Sequence, residues 1–298
     1  MKIYITGLPS GYEVEHLVRL FYPMAPLTLT APEDGEDCVW AEKKPDGLWA
    51  MVRERGKSKT ARALLPDIET PEFALASLTY DLLRAWTGIR PPWGKMTGVR
   101  PVRLIHDKRA AGWSEEDIDQ FFLGRFDCSR QKYQMAKAIA DLQEPILKAG
   151  SVPKTYSLYI GIPFCPSRCS YCSFVSCNLD RDRKMVQPYV DCLCREVEEI
   201  KAQADKAGLT LCSIYIGGGT PTSLSADQLR QLMGTVRENF DLSQVMEYTV
   251  EAGRPDCTDA EKLAVIKEYG ATRISINLQT FSDEVLAGIG RKHSAQDL

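Results

Sequence analysis

Histidine is scarce: the chain has three in 298 residues, His16, His106 and His293. That leaves little material for a histidine-built metal site. Long apolar runs are missing as well. No stretch approaches the ~18 residues a membrane-crossing helix needs. The opening Met1-Lys2-Ile3-Tyr4-Ile5-Thr6-Gly7 is too short and too soon interrupted to read as an export signal. Charge of one sign is also lacking. Lys and Arg number 37 against 40 Asp and Glu, a net charge of -3. No basic excess points to nucleic acid or to an anionic membrane. What remains is ordinary for a globular chain, 44% hydrophobic and 26% charged, so disorder is excluded as the main state. The length suggests two domains. Cysteine is the one surplus, with 10 residues. A cytoplasmic location is expected, where thiols stay reduced. The cysteines then read as metal ligands, catalytic thiols or small core residues rather than as a disulfide framework.

The cysteines are unevenly spread. Cys38 and Cys128 stand alone, and the other eight fall between Cys165 and Cys257. Ahead of them, residues 1–62 read as a small α+β domain. The spacing predicts a strand at 2–6, a helix at 13–21 and strands at 38–42 and 48–53, with Pro45-Asp46-Gly47 as the turn between the last two. Residues 63–150 read as a helical region, with helices at about 70–86, 114–122 and 129–147. Between the first two lies a segment rich in Pro and Gly that reads as a rigid loop. It contains Thr97-Gly98-Val99-Arg100-Pro101. Residues 151–298 change to strand–helix alternation. Strands are predicted at 156–162, 211–216, 246–252 and 273–278, and helices at 186–207, 225–239, 259–269 and 282–289. Such alternation implies parallel βα units, whose strand ends carry the sites.

The first of these strands runs into Cys165-Pro-Ser-Arg-Cys169-Ser-Tyr171-Cys172, three thiols within eight residues. One loop can wrap three thiolates around a metal centre, and thiolates suit iron–sulfur clusters or zinc. Zinc would want a fourth ligand, for which Cys177 is a candidate. A cube of four irons held by three cysteines would leave one iron open to a reactive ligand. An inert cysteine-rich loop is the third possibility. The second strand ends in Gly217-Gly218-Gly219-Thr220-Pro221-Thr222, a run whose backbone can approach a ligand closely. It lacks the Lys of a nucleotide phosphate loop. The third strand ends at Glu251 and the fourth at Gln279. Both polar groups are expected at the same mouth as the cysteines, and Arg291 follows one helix later.

The Cys-x3-Cys-x2-Cys run, with an aromatic residue before the last Cys, resembles the radical S-adenosylmethionine (SAM) superfamily. Tyr159-Ile-Gly-Ile-Pro-Phe-Cys165, the run from Gly217 to Thr222, Glu251, Gln279 and Arg291 are similar to the oxygen-independent coproporphyrinogen III oxidase family. Thr97–Pro101 and Glu251-Ala-Gly-Arg-Pro-Asp256 resemble most its coproporphyrinogen dehydrogenase branch in Gram-positive bacteria. The resemblance implies an α/β fold. A partial (β/α) radical SAM barrel, with four of six strands present, would follow the α+β and helical N-terminal region, and the chain would be C-terminally truncated. It implies a [4Fe–4S] cluster on Cys165, Cys169 and Cys172, whose open iron binds SAM. It implies Tyr159 packed near the cluster, Tyr171 beside the SAM adenine, and Gly218, Gly219 and Thr220 against the methionine moiety. Glu251, Gln279 and Arg291 would hold the polar groups of SAM. The implied reaction is oxidative decarboxylation of two propionates to vinyls, started by a 5′-deoxyadenosyl radical.

The match is incomplete at two positions. Phe174 stands where the dehydrogenases have a fourth Cys, and Gly161 where they have a His. Related haem-trafficking proteins also lack that Cys, so a haem-binding carrier is the alternative. The expected partners are a porphyrinogen or haem and an electron donor, with no nucleic acid and no membrane segment. Arg168, Arg254 and Lys292 are candidate cations for substrate carboxylates. His293 is a candidate for substrate contact, but a solvated helix-end His is the expected reading. Cys177 reads as an incidental thiol and Cys212 as core, while Cys192 and Cys194, on different faces of one helix, read as core and surface thiols.

Overall fold

The computed structural model describes residues 1–65 and 69–297. The segments expected at 63–150 and 151–298 therefore extend at residues 66–68 and 298 outside the described residues. The chain divides into two compact units, Met1–Gln143 and Glu144–Leu298.

The first unit opens with β1 (Lys2–Thr6), α1 (Tyr12–Arg19), β2 (Leu27–Thr28), β3 (Cys38–Lys44), β4 (Gly47–Glu54) and β5 (Lys57–Ala63). These strands form one mixed sheet in the order β2-β1-β3-β4-β5. β1 runs parallel to both its neighbours, and β3, β4 and β5 are antiparallel. Ile3, Val39, Ala41, Ala50 and Val52 alternate along the strands and bury one face against Val14, Leu17 and Val18 of α1 and Leu75 and Leu83 of α2 (Pro71–Thr87). Thr70 caps α2 by accepting the Phe73 N–H at 3.3 Å, and Gly88 ends it at φ 73. A second core is built by Ile105 of α3 (Pro101–Ala110), Ile118 of α4 (Glu115–Asp119), Phe122, and Tyr133, Ala136 and Ala140 of α5 (Arg130–Gly150).

Two elements of this unit escape the hydrophobic pattern. β5 has an almost wholly exposed Lys/Arg/Thr surface and exists because its backbone pairs with β4. α3 starts where the predicted loop ends, with Pro101 at its first position. Its charge content hides the single buried Ile105. The loop before it does contain a forced conformation. A Cβ on Gly94 (φ +59) would fall 2.0 Å from the Phe126 carbonyl oxygen.

The second unit carries β6 (Thr155–Ile162), β7 (Phe164–Cys165), β8 (Cys177–Asn178), α6 (Leu179–Asp182), α7 (Val186–Ala207), β9 (Thr210–Gly218), α8 (Ala226–Asn239), β10 (Glu247–Glu251), α9 (Ala260–Glu268), β11 (Arg273–Ser275) and α10 (Asp283–Gly288). β6, β9, β10 and β11 form a parallel sheet in the order β11-β10-β9-β6. Its α/β pattern is the four-strand partial barrel that the sequence predicts. Leu158, Ile160, Ile214, Ile216 and Val250 point to α7, α8 and α9 and meet Val190, Val197, Leu232, Val236 and Val265 there. The other face is polar. Ser157 lies opposite Ser213, Tyr159 opposite Tyr215, and Thr249 opposite both Tyr215 and Arg273.

The fourth strand is shorter than predicted. It spans Arg273–Ser275, and 276–278 leave the sheet. β11 pairs with β10 alone among the described strands, so nothing holds its last residues in register. Ile274, Ile276 and Leu278 are all exposed. No helix of the described residues is long and apolar enough to cross a membrane.

Candidate functional site

The strand ends meet at one cleft. β6 leads through Pro163 into β7, and the loop beyond carries Cys169, Tyr171 and Cys172 before returning in β8. The Cys177 N–H donates to the Pro163 carbonyl at 2.6 Å, and Phe164 pairs with Cys177. Inside the loop the Cys172 N–H donates to the Cys169 carbonyl at 3.1 Å. The Ser170 N–H reaches the Ile289 carbonyl at 3.1 Å, and the Ser167 hydroxyl donates to the Gly290 carbonyl at 3.0 Å. The loop is thus tied to the chain that follows α10. Cys165, Cys169 and Cys172 all line the cleft. Cys169 is buried and the other two are half-buried. Among the described residues, no three His, Cys, Asp or Glu side chains form a group that could hold a single metal ion. One zinc ion needs that convergence. In a four-iron cube each thiolate takes its own iron, so its ligands stand apart.

β9 forms the facing wall with Gly218, Gly219 and Thr220. A Cβ on Gly219 would lie 2.8 Å from the Phe164 carbonyl oxygen and 3.0 Å from Cys165 Sγ, so only glycine allows this approach. Thr220 is buried, with its Oγ1 3.4 Å from Cys165 Sγ.

β10 ends in Glu251, whose carboxylate accepts the Tyr215 hydroxyl at 2.5 Å. Burial, then that bond to the carboxylate, push the Tyr215 phenol up to about 12. Tyr159 stacks on Tyr215 with ring centroids 5.8 Å apart. Tyr159 does not line the cleft; it lies on the polar face of the sheet and meets Glu251 through Tyr215. Gln279 does line the cleft, past the end of β11 rather than on it. It holds a left-handed backbone at φ 61, uncommon outside glycine.

Arg291 is buried at the floor. It donates from Nη1 to the Gly253 carbonyl at 2.7 Å and from Nη2 to the Tyr171 hydroxyl at 3.3 Å. Its Nε is buried with no partner, a donor left over inside a binding cleft.

The three expected substrate cations separate. Arg168 is exposed, lines the cleft and donates to the Cys172 carbonyl at 3.4 Å. Lys292 is exposed and does not line it. Arg254 is 3% exposed and engaged by the protein itself. It donates from Nε and Nη2 to the two Asp256 oxygens, each at 3.0 Å. Burial opposes its charge, yet Asp256 outweighs that and holds the guanidinium above its ordinary value. Burial likewise works against ionised Asp256, and Arg254 holds it below the usual carboxylate range. Arg254 therefore has no capacity left for a substrate carboxylate.

His293, expected in solvent, is buried, and neither ring nitrogen has a partner. Burial, and then the positive Arg291, lower its pKa. Cys212 is buried, as expected, and of the helix pair Cys194 is the buried thiol and Cys192 the exposed one. Sequence reasoning missed Tyr215, Ser167 and Asp256. Tyr215 was visible in principle, two residues before Gly217 and so on the same strand face. Nothing local marks Ser167.

Residues 159–298 match the Radical SAM superfamily. The oxygen-independent coproporphyrinogen-III oxidase-like protein HemZ of Bacillus subtilis is 37% identical over 224 residues, which are 73% of this chain and 44% of that protein. The heme chaperone HemW of Bacillus subtilis is 42% identical over 143 residues, 48% of this chain and 36% of that one. The coproporphyrinogen III oxidase HemN of Escherichia coli, a solved structure, overlaps 52% of this chain and 35% of its own at 27% identity and a TM-score of 0.44. The chain spans less than half the length of these relatives. The superfamily uses a [4Fe–4S] cluster and SAM. This cleft fits both groups: three thiols line it, glycine backbone forms its wall, and Arg291, which also lines it, has an Nε without a partner.

Proposed function

Residues 159–298 belong to the radical SAM superfamily, in the group of the HemN, HemZ and HemW proteins, and from that premise we propose that the chain is the cluster- and SAM-binding part of an oxygen-independent coproporphyrinogen III dehydrogenase. The supporting observation is the shared cleft of three thiols, Gly218–Thr220, Glu251, Gln279 and Arg291 at the ends of parallel strands. When bound, the cluster and SAM supply one-electron chemistry that abstracts a hydrogen atom.

Cys165, Cys169 and Cys172 would hold the cluster. The Gly218–Gly219 backbone and Thr220 would receive the methionine end of SAM, with Glu251 for an ammonium and Arg291 for a carboxylate. Tyr171, donated to by Arg291 Nη2, would flank the adenine. Tyr215 fixes the Glu251 carboxylate through its 2.5 Å bond, which keeps that acceptor pointed at the cleft. On the substrate side, Arg168 is the one of the three expected cations that is both exposed and part of the cleft lining. An electron donor is required as a partner.

The dehydrogenase reading is favoured by the breadth of the oxidase-like match, 73% of the chain against 48% for the heme chaperone. The alternative is a haem-binding carrier that keeps the cluster, and Phe174 in place of a fourth Cys supports it. The test is anaerobic reconstitution with iron and sulfide, then dithionite and SAM, with 5′-deoxyadenosine quantified with and without coproporphyrinogen III. Cleavage raised by the porphyrinogen is the expected result. Stoichiometric haem binding with no cleavage would select the carrier.

A further inference from the structure

The buried Arg254 has five N–H directions, and all five are used. Nε and one Nη2 hydrogen go to Asp256, at 3.0 Å each. The second Nη2 hydrogen goes to the Ser167 hydroxyl at 2.8 Å. Nη1 reaches the Ser167 carbonyl at 3.3 Å and Cys169 Sγ at 3.5 Å. A planar guanidinium held at four points cannot turn away from the fifth. The Arg254 side chain is 4% exposed and that of Asp256 is 13% exposed, so water does not screen the arrangement. Of the other loop thiols, Cys165 has the neutral Thr220 hydroxyl beside it, at 3.4 Å.

We propose that Arg254 is a positioning residue that sets the orientation of Cys169 and raises the reduction potential of the cluster bound there. The inference rests on the cluster reading above. Reduction adds one negative charge to the cluster, and part of it falls on the ligand sulfurs. An N–H donated from a guanidinium to a sulfur stabilises the reduced form more than the oxidised form. Asp256 has the opposite influence. It neutralises most of the Arg254 charge, so the pair acts as an aimed N–H and a dipole rather than as a free cation. The two residues therefore have effects of opposite sign on the potential.

The experiment uses the full chain, reconstituted anaerobically with iron and sulfide. Iron and labile sulfide are counted, and the cluster is titrated with dithionite while its reduced-state electron paramagnetic resonance signal is followed. R254Q is expected to load less cluster. In the fraction that loads, the ratio of reduced to oxidised cluster at the wild-type midpoint should fall about tenfold, a shift of about 59 mV to more negative potential for a one-electron couple. R254K keeps the charge without the fork and should fall between the two. D256N should shift the potential the other way. A purely structural staple would lower loading and leave the potential of the loaded fraction unchanged in all three variants, and that result would overturn the proposal. Should R254Q fail to fold, R254K and D256N decide it by the same criterion. Wild-type protein that binds no labile sulfide would instead remove the functional reading itself.

Discussion

Two charge networks, one in each unit, are built from the same chemistry and end differently. In the first unit Asp127 sits at φ 52 and accepts from Tyr80 at 3.0 Å, Arg84 at 2.7 Å and Arg90 at 2.7 Å. Burial resists its ionisation, but the three donors hold its carboxyl below the usual range. Every strong donor there terminates on one carboxylate, so the network is closed. In the second unit Arg254, paired with Asp256, reaches both the Ser167 hydroxyl and, directly, the Cys169 thiol that lines the cleft. Beside it Arg291 Nε and both His293 nitrogens have no partner. A closed network spends its hydrogen bonds on the fold. An open one keeps donors for a guest, and buried donors without partners are costly unless a guest arrives.

The comparison breaks most sharply at the thiols. Replacing Cys165, Cys169 or Cys172 by Ala should abolish cluster loading, read as iron and labile sulfide per chain, while the wild-type thermal transition of the unloaded protein stays within a few degrees. Full loading by any of the three variants would remove that cysteine from the ligand set. Next is Gly219→Ala. Its Cβ meets backbone and Cys165 Sγ at 2.8–3.0 Å, so stability should fall by about 1–3 kcal/mol and the SAM dissociation constant should rise. Unchanged SAM titrations would show that the wall is not pressed against the ligand. Asp127→Ala should cost about 1–2 kcal/mol in denaturant unfolding, since Arg84 and Arg90 are half-exposed and water screens much of the pairing. Cluster loading per folded chain should not change. If it does, the closed network is not confined to the fold.

The smallest effect is one of pH. The folded pKa of His293 lies below its ordinary value, so the unfolded chain binds the proton more readily. The contribution of neutral His293 is present above its ordinary pKa of about 6.5 and shrinks as pH falls below it. Unfolding midpoints should therefore drop between pH 7 and pH 5, and His293→Gln should flatten that drop. A wild-type slope in the Gln variant would assign it to other groups.

Much of the second unit was legible because its signals are local. Helix 186–207 was predicted with the observed bounds of α7, and Ser225, Asp259 and Ser282 each accept the N–H their cap position implies. The cysteine spacing and the glycine run marked the thiol-bearing loop and the strand end that share one cleft. Where the reading failed, the cause was distant. β5 has no apolar alternation and forms because β4 offers it backbone partners. β11 stops at Ser275 because only one neighbour holds it. His293 looks solvated in sequence and is buried.

The sequence by itself therefore determined the βα alternation, the helix caps and which thiols and glycines share the cleft. All of these depend on neighbours a few residues apart. Tertiary structure alone decided that Arg254 faces Cys169 rather than a substrate, that Tyr215 holds Glu251, and that Arg291 retains a buried donor without a partner. Each of these joins residues 36 or more positions apart or depends on what surrounds a side chain. Burial and hydrogen-bond saturation belong to the packed chain, and no local pattern encodes them.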